Sequence, residues 1–342
     1  MTRALITGST GFVGGRLVAA LLARGDTVRC LVRPTSRRDA LLRLGVTDFA
    51  EGDVTDPASL RAATADVDVV YHAAAFLKAP WMAEFRAINA DGVGHIARAC
   101  AACPTPPVLI VVSSMAAAGP AHGGPRAEHE PPAPISEYGR CKLDGECQAR
   151  ALAARVPITI VRPPGVFGPG DPYMPQMFNL VRHGLHAIPS DPTARMSMIH
   201  VDDLATALLL AADAGERLPA HDDGSGLGVY HVAHPETTSM AELGQLAAAH
   251  LGVDRLRCFA VPRSLMWMAA VGGEAVGRLR HRPSLLNLDK IREAWGGDWV
   301  CDTRKAVQEL GLTYGGTFGQ RYEETVRAWA AAHSADTSNT TS

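Results

Sequence analysis

Along the first 162 residues, short apolar runs alternate with stretches whose apolar positions recur every three to four residues. Residues 4–7 read as a strand and 12–24 as a helix stopped by Gly25. Strands follow at 28–32, 46–51, 67–72, 108–113 and 158–161. The run at 108–113 has the continuous apolar core that a strand covered on both faces needs. Helical patterns lie between them. Asp56-Pro57 supplies an N-cap and a first-turn proline for a helix to about residue 65, one long pattern spans 81–103 up to Pro104, and another spans 135–155. This alternation predicts right-handed crossovers and an α/β fold built on a doubly wound parallel sheet. The pattern changes after Arg162. Residues 163–200 are rich in Pro, Gly and Met with one short helix at 176–183, and 198–212 and 229–232 look like returns to the sheet region. Helices near 239–251, 263–280, 284–295, 303–310 and 320–333 close the chain. The expected division is a sheet domain over 1–162 with the two returns, a smaller, mostly helical lobe from 163–197 and 213–333, and a disordered tail at 334–342.

Composition narrows the class. With 33 Lys+Arg against 35 Asp+Glu the net charge is −2, which argues against nucleic acid as a partner because phosphate binding needs a basic excess. At 47% hydrophobic and 20% charged residues, the 342-residue chain is that of a packed globular protein. Its seven cysteines are odd in number and scattered, which points to a reducing, cytoplasmic compartment and not to a disulfide framework. Cys100 and Cys103 form a CxxC without a second ligand pair, so they are read as buried small residues and no metal site is expected. Met1-Thr2-Arg3 leads straight into an apolar strand and no run reaches 18 apolar residues, so neither a targeting segment nor a membrane span is expected. Only four residues are lysines: Lys78, Lys142, Lys290 and Lys305.

The turn between the first strand and first helix reads Thr7-Gly8-Ser9-Thr10-Gly11-Phe12-Val13-Gly14. Gly8, Gly11 and Gly14 are what a pyrophosphate site needs there: a tight turn, backbone approach to the ligand, and close helix–strand packing, with the helix N-terminus as the anion site. The placement makes residues 1–162 a dinucleotide-binding domain of Rossmann type. Cofactor choice lies after the second strand. An NAD site usually has a carboxylate there; this chain has Arg33, followed by Arg37 and Arg38, whose guanidinium groups suit a 2′-phosphate. NADP(H) is favoured and NAD(H) left open. Asp53, after the third strand, is placed to receive the adenine amino group.

Ser114 follows the fifth strand, and Tyr138 and Lys142 lie 24 and 28 residues further on, one helical turn apart on one face. A phenol exchanging protons near neutrality needs a lowered pKa, which an adjacent ammonium can provide, while the serine hydroxyl holds a substrate oxygen. With six Tyr and four Lys, a chance Tyr-x-x-x-Lys is expected only about 0.07 times. The chain resembles the extended, epimerase/dehydratase-like branch of the short-chain dehydrogenases/reductases over nearly all of residues 1–333. The motifs are TGSTGFVG at 7–14, GDVTD at 52–56, HAAA at 72–75, SSMAAAG at 113–119, YGRCK at 138–142, RPPGVFGPGD at 162–171 and HVDDLA at 200–205. The resemblance implies a catalytic set of Ser114, Tyr138 and Lys142, with Asn89 supporting a proton-relay water. Lys142 would also hold the nicotinamide ribose, and Pro163 to Val166 would pass near the carboxamide. It extends the cofactor site to Thr10, Phe12, Val13, Val54, Ala73 and Ala74, gives His200 a structural contact, and implies a homodimer. One departure is Ala116–Ala118 where the branch has an aromatic residue, which is expected to leave room in the pocket.

Among the reactions of that branch, the reading favours reversible hydride transfer between a secondary alcohol and a ketone, closest in character to the 3β-hydroxysteroid dehydrogenase and ketone reductase members. Arg33 suits net reduction. Phe76, Leu77, Trp81 and Met82, then Tyr173, Met174, Met177 and Phe178, then Leu265-Met266-Trp267-Met268 are apolar groups able to wall a bulky sterol-, steroid- or terpenoid-like small molecule, although such residues also serve as core. A nucleotide-sugar epimerase or dehydratase with tightly held NAD(P) is the alternative enzyme; an NADP-sensing regulatory protein is the non-enzyme one. Residues 264–282, apolar at first and basic at Arg278, Arg280 and Arg282, read as a packed helix or as a weak membrane-surface contact.

Overall fold

A computed structural model describes residues 1–76, 82–189, 191–279 and 288–338. Leu77, Lys78, Trp81, Arg280, Arg282 and residues 339–342 lie outside the described residues. Seven strands form one parallel sheet: β1 (Arg3–Thr7), β2 (Thr27–Val32), β3 (Asp48–Glu51), β4 (Val69–His72), β5 (Val108–Val112), β6 (Ile158–Arg162) and, from far along the chain, Val229–His231. Across the sheet the order is Val229–His231, β6, β5, β4, β1, β2, β3. The chain winds outward from β1 through β2 and β3, then restarts at β4 on the other side of β1. The crevice beyond the carboxyl ends of β1 and β4 is therefore the switch point where such sheets bind ligands.

Both faces of the sheet are covered. On one, Leu17, Val18 and Leu21 of the helix Phe12–Arg24 and Leu204, Ala207, Leu208 and Ala211 of the helix Val201–Ala214 share a core with Ala4, Ile6 and Tyr71. On the other, Ile96, Ala97 and Cys100 of the helix Gly92–Ala101 pack with Leu5, Val70, Leu109 and Val111. The first helix ends where the sequence says, at Gly25 in the left-handed conformation with φ 87°.

The differences from the sequence reading are local. The expected helix over 81–103 is interrupted: Met82–Arg86 and Gly92–Ala101 are joined by a wide π turn at Ala87–Asp91. The helix expected over 135–155 is Glu137–Arg150, because Ser136 accepts the Gly139 N–H and caps it. The helix expected at 176–183 starts earlier, at Met174, because Asp171 Oδ1 accepts the N–H groups of Tyr173 and Met174. Val229–His231 pairs with β6, but Met198–His200 does not enter the main sheet. It pairs with Gly165–Phe167 in a separate two-stranded ribbon, and the helix Val201–Ala214 that follows packs back on the sheet. The final helix, Phe318–Ser338, continues past Ser334 into the segment expected to be loose. In the second lobe, Phe178, Val181, Leu243, Phe318, Tyr322 and Trp329 make a separate core.

Candidate active site

The glycine turn is fixed by contacts that only hydrogen side chains allow. Gly8 has φ +73°, and a Cβ on it would lie 2.7 Å from Ala73 O and Ala74 N. A Cβ on Gly14 would lie 2.1 Å from Gly8 O. The loop after β1 thus presses on the loop after β4. Thr7 ties them: Ala73 N donates to Thr7 O (3.2 Å), Ala74 N donates to Thr7 Oγ1 (3.2 Å), and Thr7 Oγ1 bonds His72 Nδ1 (2.9 Å). The helix Phe12–Arg24 starts at Gly11 with no side-chain cap and no acidic residue in its first turn. That uncapped N-terminus beside a turn drawn tight by its glycines fits the pyrophosphate of a dinucleotide. Gly8, Thr10, Gly11, Phe12, Val13, Gly14, Ala73 and Ala74 meet here.

At the end of β2, Arg33 and Arg37 are exposed, and among the described residues neither joins an ion pair. The Arg33 guanidinium stands 6.0 Å from the Phe76 ring centroid. Arg38 is occupied, 3.8 Å from Glu51 and over Phe49. Asp53 Oδ1 accepts from Thr55 N (2.9 Å) and Thr55 Oγ1 (2.8 Å), so one carboxylate oxygen locks its own turn. Val54 is buried, and its carbonyl bonds His95 Nδ1 at 2.9 Å.

Ser114, at the end of β5, caps the short helix Met115–Ala118 through Ala116 N (3.1 Å), and Met115 N donates to Pro163 O (2.9 Å). Val166 lies in the ribbon strand Gly165–Phe167. Tyr138 and Lys142 stand on Glu137–Arg150, both buried. Burial pushes the Tyr138 phenol up, and its hydrogen bond with Ser114 pulls the other way. The expectation that Lys142 lowers the phenol is not met in this arrangement. Lys142 Nζ donates to Val112 O at 2.7 Å, which ties one of its three N–H donors to the end of β5. Burial lowers Lys142 from 10.5 to about 8, opposed by the charge of Glu146.

Asn89 sits in the π turn, fully buried. Its side chain donates to Phe76 O (2.9 Å) and Phe85 O (3.0 Å) and accepts from Phe76 N (3.1 Å). That uses the side chain on backbone, so Asn89 fixes the Phe76 segment, while its backbone carbonyl packs against Gly145 of the Tyr138 helix. Ala116–Ala118, where room in the pocket is expected, follow Ser114 in the short helix Met115–Ala118. These residues are buried, and Ala116 packs with Tyr138, Phe85 and Cys141. A Cβ on Gly139 would lie 2.2 Å from Ala116 O, so glycine at 139 lets the two helices pack closely. His200 caps the helix Val201–Ala214 through Asp202 N (3.3 Å) and meets Phe167 edge-on. Of the apolar groups, Phe178 and Met266 are core, Phe76 and Met177 are half-buried, and Met82, Tyr173, Leu265, Trp267 and Met268 are exposed.

The structure adds residues that sequence reasoning missed. One turn beyond Lys142, Glu146 is fully buried and holds Arg162 in a fork (Nε–Oε1 2.9 Å, Nη2–Oε2 2.6 Å) while accepting from Ser113 Oγ. Burial alone would raise this carboxyl; Arg162 and Ser113 hold it below the ordinary range. From the second lobe, Asp289 accepts the N–H groups of Glu137 (2.6 Å) and Tyr138 (3.0 Å), and Lys290 Nζ lies 5.2 Å from the Tyr138 ring centroid. The Tyr-x-x-x-Lys-x-x-x-Glu spacing contains a signal for Glu146. Asp289 and Lys290 carry none, being about 150 residues distant.

Residues 4–223 match the model of the NAD dependent epimerase/dehydratase family. The chain is 31% identical over 310 residues to a ceramide reductase of Caulobacter vibrioides, covering 91% of this chain and 89% of that one. It is 32% identical over 319 residues to sterol demethylase protein B of Methylococcus capsulatus, covering 90% and 92%. The solved UDP-glucuronic acid 4-epimerase of Bacillus cereus, in complex with UDP-glucuronic acid and NAD, superposes with a TM-score of 0.74 at 20% identity over 96% of this chain and 99% of that one, a likeness of fold.

Proposed function

The chain belongs to the NAD dependent epimerase/dehydratase family, and from that premise we propose that it is an NADP(H)-dependent oxidoreductase that interconverts a secondary alcohol and a ketone on a bulky apolar substrate. The observation that carries the chemistry is the meeting of Ser114, Tyr138 and Lys142 at the carboxyl end of β5, on the same edge of the sheet as the glycine cradle. When bound, the nicotinamide supplies or accepts the hydride. The protein does the rest. The Ser114 hydroxyl donates to the substrate oxygen. Tyr138, kept protonated by burial, gives its phenolic proton to that oxygen in the reductive direction. Lys142, released from Val112 O, supplies positive charge at the cofactor ribose and beside the phenolate that results.

Exposed Arg33 and Arg37, with no carboxylate at the end of β2, support NADP(H). The two relatives are named for a ceramide and a sterol, and both molecules are bulky lipids, which supports an apolar substrate. The test is loss of NADPH absorbance with long-chain and sterol ketones. Tyr138→Phe is expected to bind NADPH as the wild type does and to turn over about a hundredfold to ten-thousandfold more slowly. Arg33→Asp is expected to shift preference toward NADH. Near-wild-type turnover in Tyr138→Phe overturns the mechanism, and copurified cofactor that never exchanges with added NADPH points to epimerisation instead.

A further inference from the structure

The helix Arg263–Leu279 is apolar on two sides over residues 265–271, and among the described residues one side packs inward. Met266 and Ala270 face inward and pack with Ile291. Leu265, Trp267, Met268 and Val271 face outward at 52%, 53%, 59% and 38% exposure. The i,i+3 and i,i+4 spacings Leu265–Met268, Met268–Val271 and Trp267–Val271 make them one continuous strip. A helix lying on a protein in water normally turns polar residues outward. The strand Arg257–Ala260 just before it is exposed at all four positions and offers Phe259 at 49%.

Charge tells what fits this strip. From residue 255 to residue 273 the charged side chains are Arg255, Arg257 and Arg263, with no acid among them, in a chain whose net charge is −2. All three are exposed, Arg263 lying 5.3 Å from the Trp295 ring centroid. Asp254 and Glu274 bound the stretch, and Asp191 lies near Arg263. A two-fold contact between copies with its axis through this strip would set these arginines against themselves. An anionic lipid surface takes both features together, the aromatic and aliphatic strip entering the headgroup boundary and the arginines meeting phosphate. Among the described residues no helix is long and apolar enough to cross a membrane, so the contact is interfacial.

We propose that Leu265, Trp267, Met268, Val271 and Phe259, flanked by Arg255, Arg257 and Arg263, dock the protein on an anionic phospholipid surface. The helix Leu288–Ala294, which places Asp289 and Lys290 at Tyr138, packs against the inner side of the same helix through Ile291. Docking thus puts two helices, Arg263–Leu279 and Leu288–Ala294, between the lipid surface and Tyr138. The test is flotation of the full chain with phosphatidylcholine vesicles, with and without phosphatidylglycerol. Binding is expected only with phosphatidylglycerol, to fall about tenfold or more in the triple variant L265S/W267S/M268S, and to fall roughly fivefold for each of R255Q and R257Q. The replaced side chains are exposed, so the melting temperature should not change. Absence of wild-type binding to the anionic vesicles overturns the proposal, as does equal binding by wild type and triple variant. Loss in the triple variant of a dimer seen by ultracentrifugation, without any vesicle binding, assigns the strip to a second copy and also overturns it.

Discussion

Glu146→Gln tests whether the buried pair behind the candidate catalytic lysine holds the site together. Glu146 and Arg162 are 0% and 2% exposed and joined by two short hydrogen bonds, with Ser113 Oγ as a third partner. Glutamine keeps the volume and removes the charge. Arg162 would then be a buried cation without its counter-ion, a loss that costs about 3–5 kcal/mol in comparable pairs. Against a typical stability of about 5–15 kcal/mol this is large. The assay is urea denaturation, read as a lower midpoint at unchanged slope. The double variant Glu146→Gln/Arg162→Met removes the stranded charge, so it should lose less than the sum of the single variants. Activity supplies an independent readout. The Glu146 charge opposes the burial that brings Lys142 down to about 8. Without it Lys142 falls further, its ammonium is lost at lower pH, and the alkaline limb of kcat/KM moves to lower pH. A loss under about 1 kcal/mol refutes the structural argument, and an unmoved alkaline limb refutes the coupling to Lys142.

Other expectations follow from single contacts. Gly14→Ala brings a Cβ within 2.1 Å of a backbone oxygen, so NADPH affinity by fluorescence titration should fall about tenfold or more, with overpacking costing about 1–3 kcal/mol. At Gly15 the nearest atom is Ser9 O at 3.6 Å, and Gly15→Ala should be neutral or stabilising by up to about 1 kcal/mol. Burial lowers His72 and His231 from 6.5 to about 3, aided by the charges of Lys142 and Arg162. Between those values the unfolded chain binds more protons, so stability is full above pH 6.5 and lost as pH falls toward 3, by up to about 1.4 kcal/mol per pH unit for each histidine. A His231→Gln variant with an unchanged stability–pH slope would contradict this. Asp289→Ala uncaps the Tyr138 helix at two N–H groups and should cost about 0.5–2 kcal/mol in thermal or urea unfolding.

The sheet was legible because its signals are local. Apolar runs, capping residues and Gly25 act within a few positions, and all seven strands of the sheet, the late Val229–His231 included, follow from such signals. The departures arise where one side chain redirects backbone. Asn89 has too few neighbours in sequence to announce a π turn; it becomes one because Phe76 and Phe85, from the preceding loop and helix, offer their backbone groups to it. Met198–His200 and Val229–His231 look alike as short apolar strands. Only the first finds the Gly165–Phe167 backbone and leaves the main sheet.

The site separates residue identity from side-chain direction. The i,i+4 rule places Tyr138 and Lys142 on one helix face, yet a lysine reaches several ångströms beyond its Cβ, and here it bonds the Val112 carbonyl. Spacing therefore names the pair without fixing its electrostatics. Gly139 shows the same limit, since a glycine in a helix marks no partner in sequence, and only the fold brings it against Ala116 O. Lysine scarcity makes Lys142 stand out from four, but the same scarcity makes Lys290 conspicuous, and nothing near it in sequence ties it to the site. Only the fold sets its ammonium over the Tyr138 ring and gives Asp289 the two N–H groups at the start of the same helix. The second lobe thus reaches the candidate proton donor through a cap and a charge.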